Sequence, residues 1–98
     1  MIEQFLQRAL AGDASAQYQV GVCYATGKGV QKDDTEAMQW YREAAEQGHA
    51  AAQYNVGSCY ENGTGVLKDE IQAFQWYRKA ADQGHAVDIS IRYPHRPS

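Results

Sequence analysis

Proline is nearly missing from this chain. It occurs only at Pro94 and Pro97, so no ring interrupts a helix from residue 1 to about 92. Long apolar runs are missing as well. None approaches the roughly 20 residues that a spanning helix needs, so no membrane insertion is expected. Met1 to Gly12 carries Glu3, Gln4, Gln7 and Arg8, which break the apolar centre a secretory signal requires. Positive charge is not in excess: 9 Lys and Arg stand against 12 Asp and Glu, for a net charge of −3. The basic footprint of nucleic-acid binding is therefore absent. The two cysteines form neither a C-x-x-C pair nor a cluster with histidine, so no metal, redox centre or cofactor is expected. No S-x-x-K, G-x-S-x-G or H-E-x-x-H occurs, and these absences speak against an enzyme. The segment Gly27-Lys28-Gly29-Val30 lacks the strand and spacing of a phosphate loop and reads as a helix connector.

What the chain does have is an internal repeat. Shifted by 36, residues 13–48 fall on 49–84 with 22 identical positions. Ala16-Gln17-Tyr18 returns as Ala52-Gln53-Tyr54. Gly21, Cys23 and Tyr24 return as Gly57, Cys59 and Tyr60, and Trp40-Tyr41-Arg42 as Trp76-Tyr77-Arg78. At 98 residues, with 44% hydrophobic and 21% charged residues, the chain is one small globular domain. The repeat divides it into a capping segment (1–12), repeat 1 (13–48), repeat 2 (49–84) and a non-repeat tail (85–98).

Each unit reads as two helices. In residues 14–26, Ala14, Tyr18, Gly21 and Ala25 share one face, and Ala16, Val20, Cys23 and Tyr24 widen it. Only a narrow stripe is left uncovered, as in an inner helix packed on two neighbours. In residues 34–47, Ala37, Trp40, Tyr41 and Ala44 follow the i, i+3, i+4, i+7 pattern of a surface helix with one buried stripe. Asp33 with Glu36, and Asp69 with Gln72, have capping-box spacing. Gly27, Gly48, Gly63 and Gly84 suit helix ends. His49 and His85 take the helix-start position held by Asp13. Gly21 and Gly57 cost about 1 kcal/mol in a helix. They therefore predict a close helix–helix approach, against small partners at Ala37 or Ala44 and at Ala73 or Ala80. The buried amides of Gln17 and Gln53 are expected to bond backbone. The pattern predicts five helices, near 2–11, 14–26, 34–47, 50–62 and 70–83.

The runs AQYQVGVCYATGKGVQKDDTEAMQWYREAAEQG and AQYNVGSCYENGTGVLKDEIQAFQWYRKAADQG resemble the Sel-1-like repeat, and bacterial members most closely. The resemblance covers residues 13–84. It implies an all-α fold, a right-handed α/α solenoid akin to tetratricopeptide arrays. It also implies a scaffold role without catalysis. Residues 2–11 depart from the motif as a capping helix, with Gln4 where Trp is expected. After Gly84 the motif fails, with Ile89 and Ser90 where Gln53 and Tyr54 stood.

Stacked helix pairs curve, with the inner helices on the concave side. The stripe there predicts a groove for a peptide or partner protein. It comprises Ser15, Tyr18, Gln19, Val22 and Thr26, then Ala51, Tyr54, Asn55, Ser58, Glu61 and Asn62. It has no Lys or Arg, which disfavours a carboxylate clamp. The alternative is an incomplete array, since two repeats fall short of the three or so that stability asks for. Such a chain would self-associate as a homodimer through its C-terminal end, with the alternating tail residues Val87, Ile89 and Ile91 laid on the open face. One cysteine per repeat and no visible signal favour a cytoplasmic location, with the periplasm open if the chain is processed. Circular dichroism should report more than half of the chain as helix; a smaller fraction would contradict the two-helix reading of each unit.

Overall fold

The computed structural model describes residues 2–84. The expected extended tail, its strand-like Val87, Ile89 and Ile91, and any dimer contact made through it lie outside the described residues. Five helices run in order: α1 (Ile2–Leu10), α2 (Ala14–Thr26), α3 (Asp34–Glu46), α4 (Ala50–Asn62) and α5 (Glu70–Asp82). Each packs on its sequence neighbours. The inner helices α2 and α4 form one layer, and α1, α3 and α5 form the other. The fold is an all-α repeat solenoid. The helices end within a residue of their expected limits; Ala11, Gln47 and Gln83 lie just beyond.

The helix starts are built by side-chain acceptors. Asp13 accepts from the Ala16 amide, His49 Nδ1 from Ala52, Asp33 from Glu36, and Asp69 from Ile71 and Gln72. Each satisfies amides that the first turn leaves without a helical partner. The capping boxes form only by half. The Asp33 and Asp69 amides, which Glu36 and Gln72 were to satisfy, instead donate to the carbonyls of Tyr24 and Tyr60 at 2.9 Å. That bond ties the loop back onto the inner helix. On the surface of α3, Arg42 and Glu46 pair at 3.3 Å. Both partners are exposed, so it contributes only a few tenths of a kcal/mol.

The core is built largely from alanine. Ala16, Ala44, Ala52, Ala73 and Ala80 are fully buried, and such small side chains let helices lie close. Ile2, Ala9, Ala16, Val20 and Cys23 join α1 to α2, with Trp40 packed at the edge. Met38, Tyr41, Ala45, Val56, Cys59 and Trp76 join α3, α4 and α5. Cys23 and Cys59 are buried free thiols, one in each cluster.

Gly21 and Gly57 mark close approaches, but the neighbour is larger than expected. A Cβ on Gly57 would stand 2.8 Å from the Tyr77 ring and 3.1 Å from the Ala73 carbonyl oxygen. On Gly21 it would meet the Tyr41 ring at 2.7 Å and the Ala37 carbonyl at 3.3 Å. The glycine accommodates an aromatic ring, with alanine contributing only backbone.

The two buried glutamines do more than bond a loop. Gln17 Nε2 donates to the Ala9 carbonyl at 3.1 Å, and its Oε1 accepts from Gln47 Nε2 at 2.8 Å. Gln53 repeats this with Ala45 at 3.1 Å and Gln83 at 2.7 Å. Each amide thus joins the end of the preceding helix to the end of the following one, and shows that successive helices run antiparallel.

Two substitutions test these devices. Gln53→Ala removes two hydrogen bonds at once, to the Ala45 carbonyl and from Gln83, and should cost about 1–3 kcal/mol, lowering Tm by roughly 5–20 °C. Gln83→Ala, with an exposed donor, should cost less than half of that. Gly57→Ala should cost about 1–2 kcal/mol in urea melts, because overpacking against Tyr77 outweighs the helix-propensity gain. A stabilised Gly57→Ala protein would show that the Tyr77 ring can yield.

Candidate functional site

Along the inner layer, the stripe residues fall into two groups. Ser15, Thr26 and Asn62 are exposed, whereas Tyr18, Gln19, Val22, Ala51, Tyr54, Asn55, Ser58 and Glu61 are half-buried. The polar groups nearest the helix ends turn back on their own backbone. Thr26 Oγ1 donates to the Val22 carbonyl at 2.8 Å, and Asn62 Nδ2 to the Ser58 carbonyl at 3.1 Å. Small hydroxyl and amide side chains do this readily.

The tyrosines are held from below. Tyr18 stacks on the His49 ring with centroids 4.9 Å apart, and leans on Tyr41 at 5.8 Å. Tyr54 leans on Tyr77 at 5.2 Å. The Tyr41 side chain hydrogen-bonds Asn55, and the Tyr77 hydroxyl donates to Glu61. Tyr41, Tyr77 and His49 are therefore the residues that the wheel missed. Tyr41 and Tyr77 start on the outer helices and thread across Gly21 and Gly57 to reach the stripe. The pairing of a helix glycine with a Tyr 20 residues later, in both units, was the available signal.

Burial pushes the Tyr41 phenol up to about 12, against the pull of its bond to Asn55. Burial likewise pushes the Cys59 thiol up to about 11, with the Asp34 carboxylate adding to the shift. Cys59 is therefore a protonated thiol near neutral pH and a poor nucleophile. Among the described residues, no group of three or more His, Cys, Asp and Glu side chains could hold a metal ion. No described helix is long and apolar enough to cross a membrane. The arrangement suits binding by shape and hydrogen bonding: a strip of low charge with preformed aromatic supports.

The Sel1 repeat family model matches residues 14–49 and 50–85, each one residue later than the unit drawn by self-comparison. The chain belongs to the Sel1 repeat family. Residues from 44% of it are 48% identical, over 43 positions, to the Escherichia coli secretory immunoglobulin A-binding protein EsiB. Three solved structures each superpose on 85% of the chain. A protective antigen of uropathogenic Escherichia coli with an SLR fold gives a TM-score of 0.84 at 42% identity. A Sel1 repeat protein from Oxalobacter formigenes gives 0.83 at 46%. Helicobacter pylori cysteine rich protein B gives 0.81 at 26%. The chain spans only 9% of EsiB, 18% of the antigen, and 62% of each of the other two. Sel1 repeats are commonly protein-interaction modules.

The two raised groups set an alkaline limit. The unfolded chain releases the Cys59 and Tyr41 protons near pH 9 and 10, before the folded chain does. Their contribution is intact below pH 9, and stability falls as pH rises through about 9–12. Each group can account for no more than roughly 3 kcal/mol, at about 1.4 kcal/mol per pH unit. Urea midpoints should show this decline, and Cys59→Ala should remove the part that begins near pH 9. A flat profile from pH 8 to 12 would contradict it.

Proposed function

We propose that this chain is a protein-binding module that takes an extended peptide or a partner helix along the α2–α4 stripe. The observation that carries the reading is pre-organisation. Tyr18 and Tyr54 are wedged in place by His49, Tyr41 and Tyr77, so little side-chain freedom is lost when a ligand lies between them. The stripe contains no Lys or Arg and only one carboxylate, Glu61, which already accepts from Tyr77. A ligand of low charge with small polar and apolar side chains fits that surface. EsiB is named for binding secretory immunoglobulin A, which supports a protein as the class of partner here.

Peptides selected from a display library against the folded chain supply the test. In nitrogen-15 NMR spectra they should shift the backbone signals of Gln19, Val22, Asn55 and Ser58. Gln19→Arg with Ser58→Arg should weaken them at least tenfold, while surface changes of this kind move stability by no more than about 0.5 kcal/mol. Shifts confined to α3 and α5, with affinity unchanged in the double variant, would remove the stripe from consideration.

One observation favours self-association as a second reading. Leu67 and Ile71 are 89% and 73% exposed, where repeat 1 has Gln31 and Thr35. Large apolar side chains left exposed on a surface favour association. Light scattering should show mass rising with concentration, and Leu67→Gln with Ile71→Thr should reduce it; a monomer at every concentration tested would eliminate this reading.

A further inference from the structure

Repeat 2 shows what the tryptophan at this position of the outer helix accepts, although Trp76 itself is mostly buried in the core. The Lys79 ammonium sits 4.8 Å from the centre of the Trp76 ring, well within cation–π range. Lys79 lies one residue short of a full turn after Trp76, and both belong to α5. Trp40 stands at the same position of α3, but the residue matching Lys79 is Glu43, and the residue matching Gln72 is Glu36. Trp40 is half-buried, with the hydrophobic contact of α1 and α2 at its back. On its outer side lies a shallow recess of about 140 Å³, lined by Glu36, Gln39, Trp40 and Glu43. The internal cation of repeat 2 is thus replaced in repeat 1 by two carboxylates around an aromatic ring.

We propose that this recess is a binding site for a lysine or arginine side chain projecting from a partner protein. The ring offers its negative face to the cation. Glu36 and Glu43, one turn before and one turn after, offer carboxylate acceptors, and Gln39 offers an amide oxygen. An anionic or purely apolar side chain finds no matching group there. The site lies on the outer face of α3, apart from the α2–α4 stripe, so a ligand in the stripe and a basic side chain on α3 can be held independently.

The test uses the folded full chain, nitrogen-15 labelled, with the probe peptide acetyl-Gly-Lys-Gly-amide. Its readouts are the indole N–H signals of Trp40 and Trp76. The Trp40 signal should move in a saturable way while that of Trp76, already covered by Lys79, stays in place. The acidic peptide acetyl-Gly-Glu-Gly-amide should move neither. Glu43→Gln should weaken the response about threefold, the scale of one exposed ion pair. Glu43→Lys should abolish it by seating an internal cation. The converse variant, Gln72→Glu with Lys79→Glu, should confer the response on Trp76. Equal shifts with both peptides, no Trp40 shift up to the solubility limit, or a response that survives Glu43→Lys would overturn the proposal. None of these outcomes bears on the stripe, whose signals are read separately.

Discussion

A buried primary amide near the start of each inner helix holds the solenoid together. Gln17 and Gln53 each donate to the carbonyl end of one outer helix and accept from the capping glutamine of the next. A side chain that can donate and accept at once is needed, and it must lie where three helix ends meet. An unmet polar atom there would carry its full desolvation cost, so the bond specifies register as well as contributing stability. The alanine seams between the helices attract but discriminate little, since one methyl group packs much like another. The amides determine which turn faces which.

The second constraint couples the layers. A tyrosine from α3 and another from α5 each cross over a glycine of an inner helix and end at the stripe, where Tyr41 meets Asn55 and Tyr77 meets Glu61. The partners differ because Ala25 stands in repeat 1 where repeat 2 has Glu61, so the inner helix of Tyr41's own unit offers it no carboxylate. Asn55 belongs to the next unit, whereas Glu61 lies on the inner helix of Tyr77's own unit. The positioning of the proposed peptide surface thus depends on side chains rooted in the opposite layer. Its shape is inseparable from the packing.

Differences between the repeats carry information that their identity hides. The shared positions are those of helix caps, seams, glycine–tyrosine crossings and amides, which any stacked unit needs. The exchanges Lys79 for Glu43, Gln72 for Glu36, Leu67 for Gln31 and Ile71 for Thr35 sit on outward faces. They alter charge and exposed apolar area without touching the frame. A surface that changes while the frame is held is where binding preference can be set.

Much of the fold was legible in the chain itself. The 36-residue period, the two helical phases and the cap residues rest on local geometry, because helix period and capping depend on residues a few positions apart. Membership in the Sel1 family followed from the same words. The stripe could be drawn on a wheel, but a wheel shows only one helix. The Tyr18–His49 stack, the Tyr41–Asn55 bond and the two amide relays join side chains 14 to 31 residues apart. They exist only once helix crossing brings those side chains together. The half-formed capping boxes have the same origin: the spacing was right, but folding delivered the Tyr24 and Tyr60 carbonyls to the same amides. Local periodicity determined the elements of this protein. Tertiary contact decided which polar groups found one another, because competition for a hydrogen bond is settled by whatever packing brings within about 3 Å.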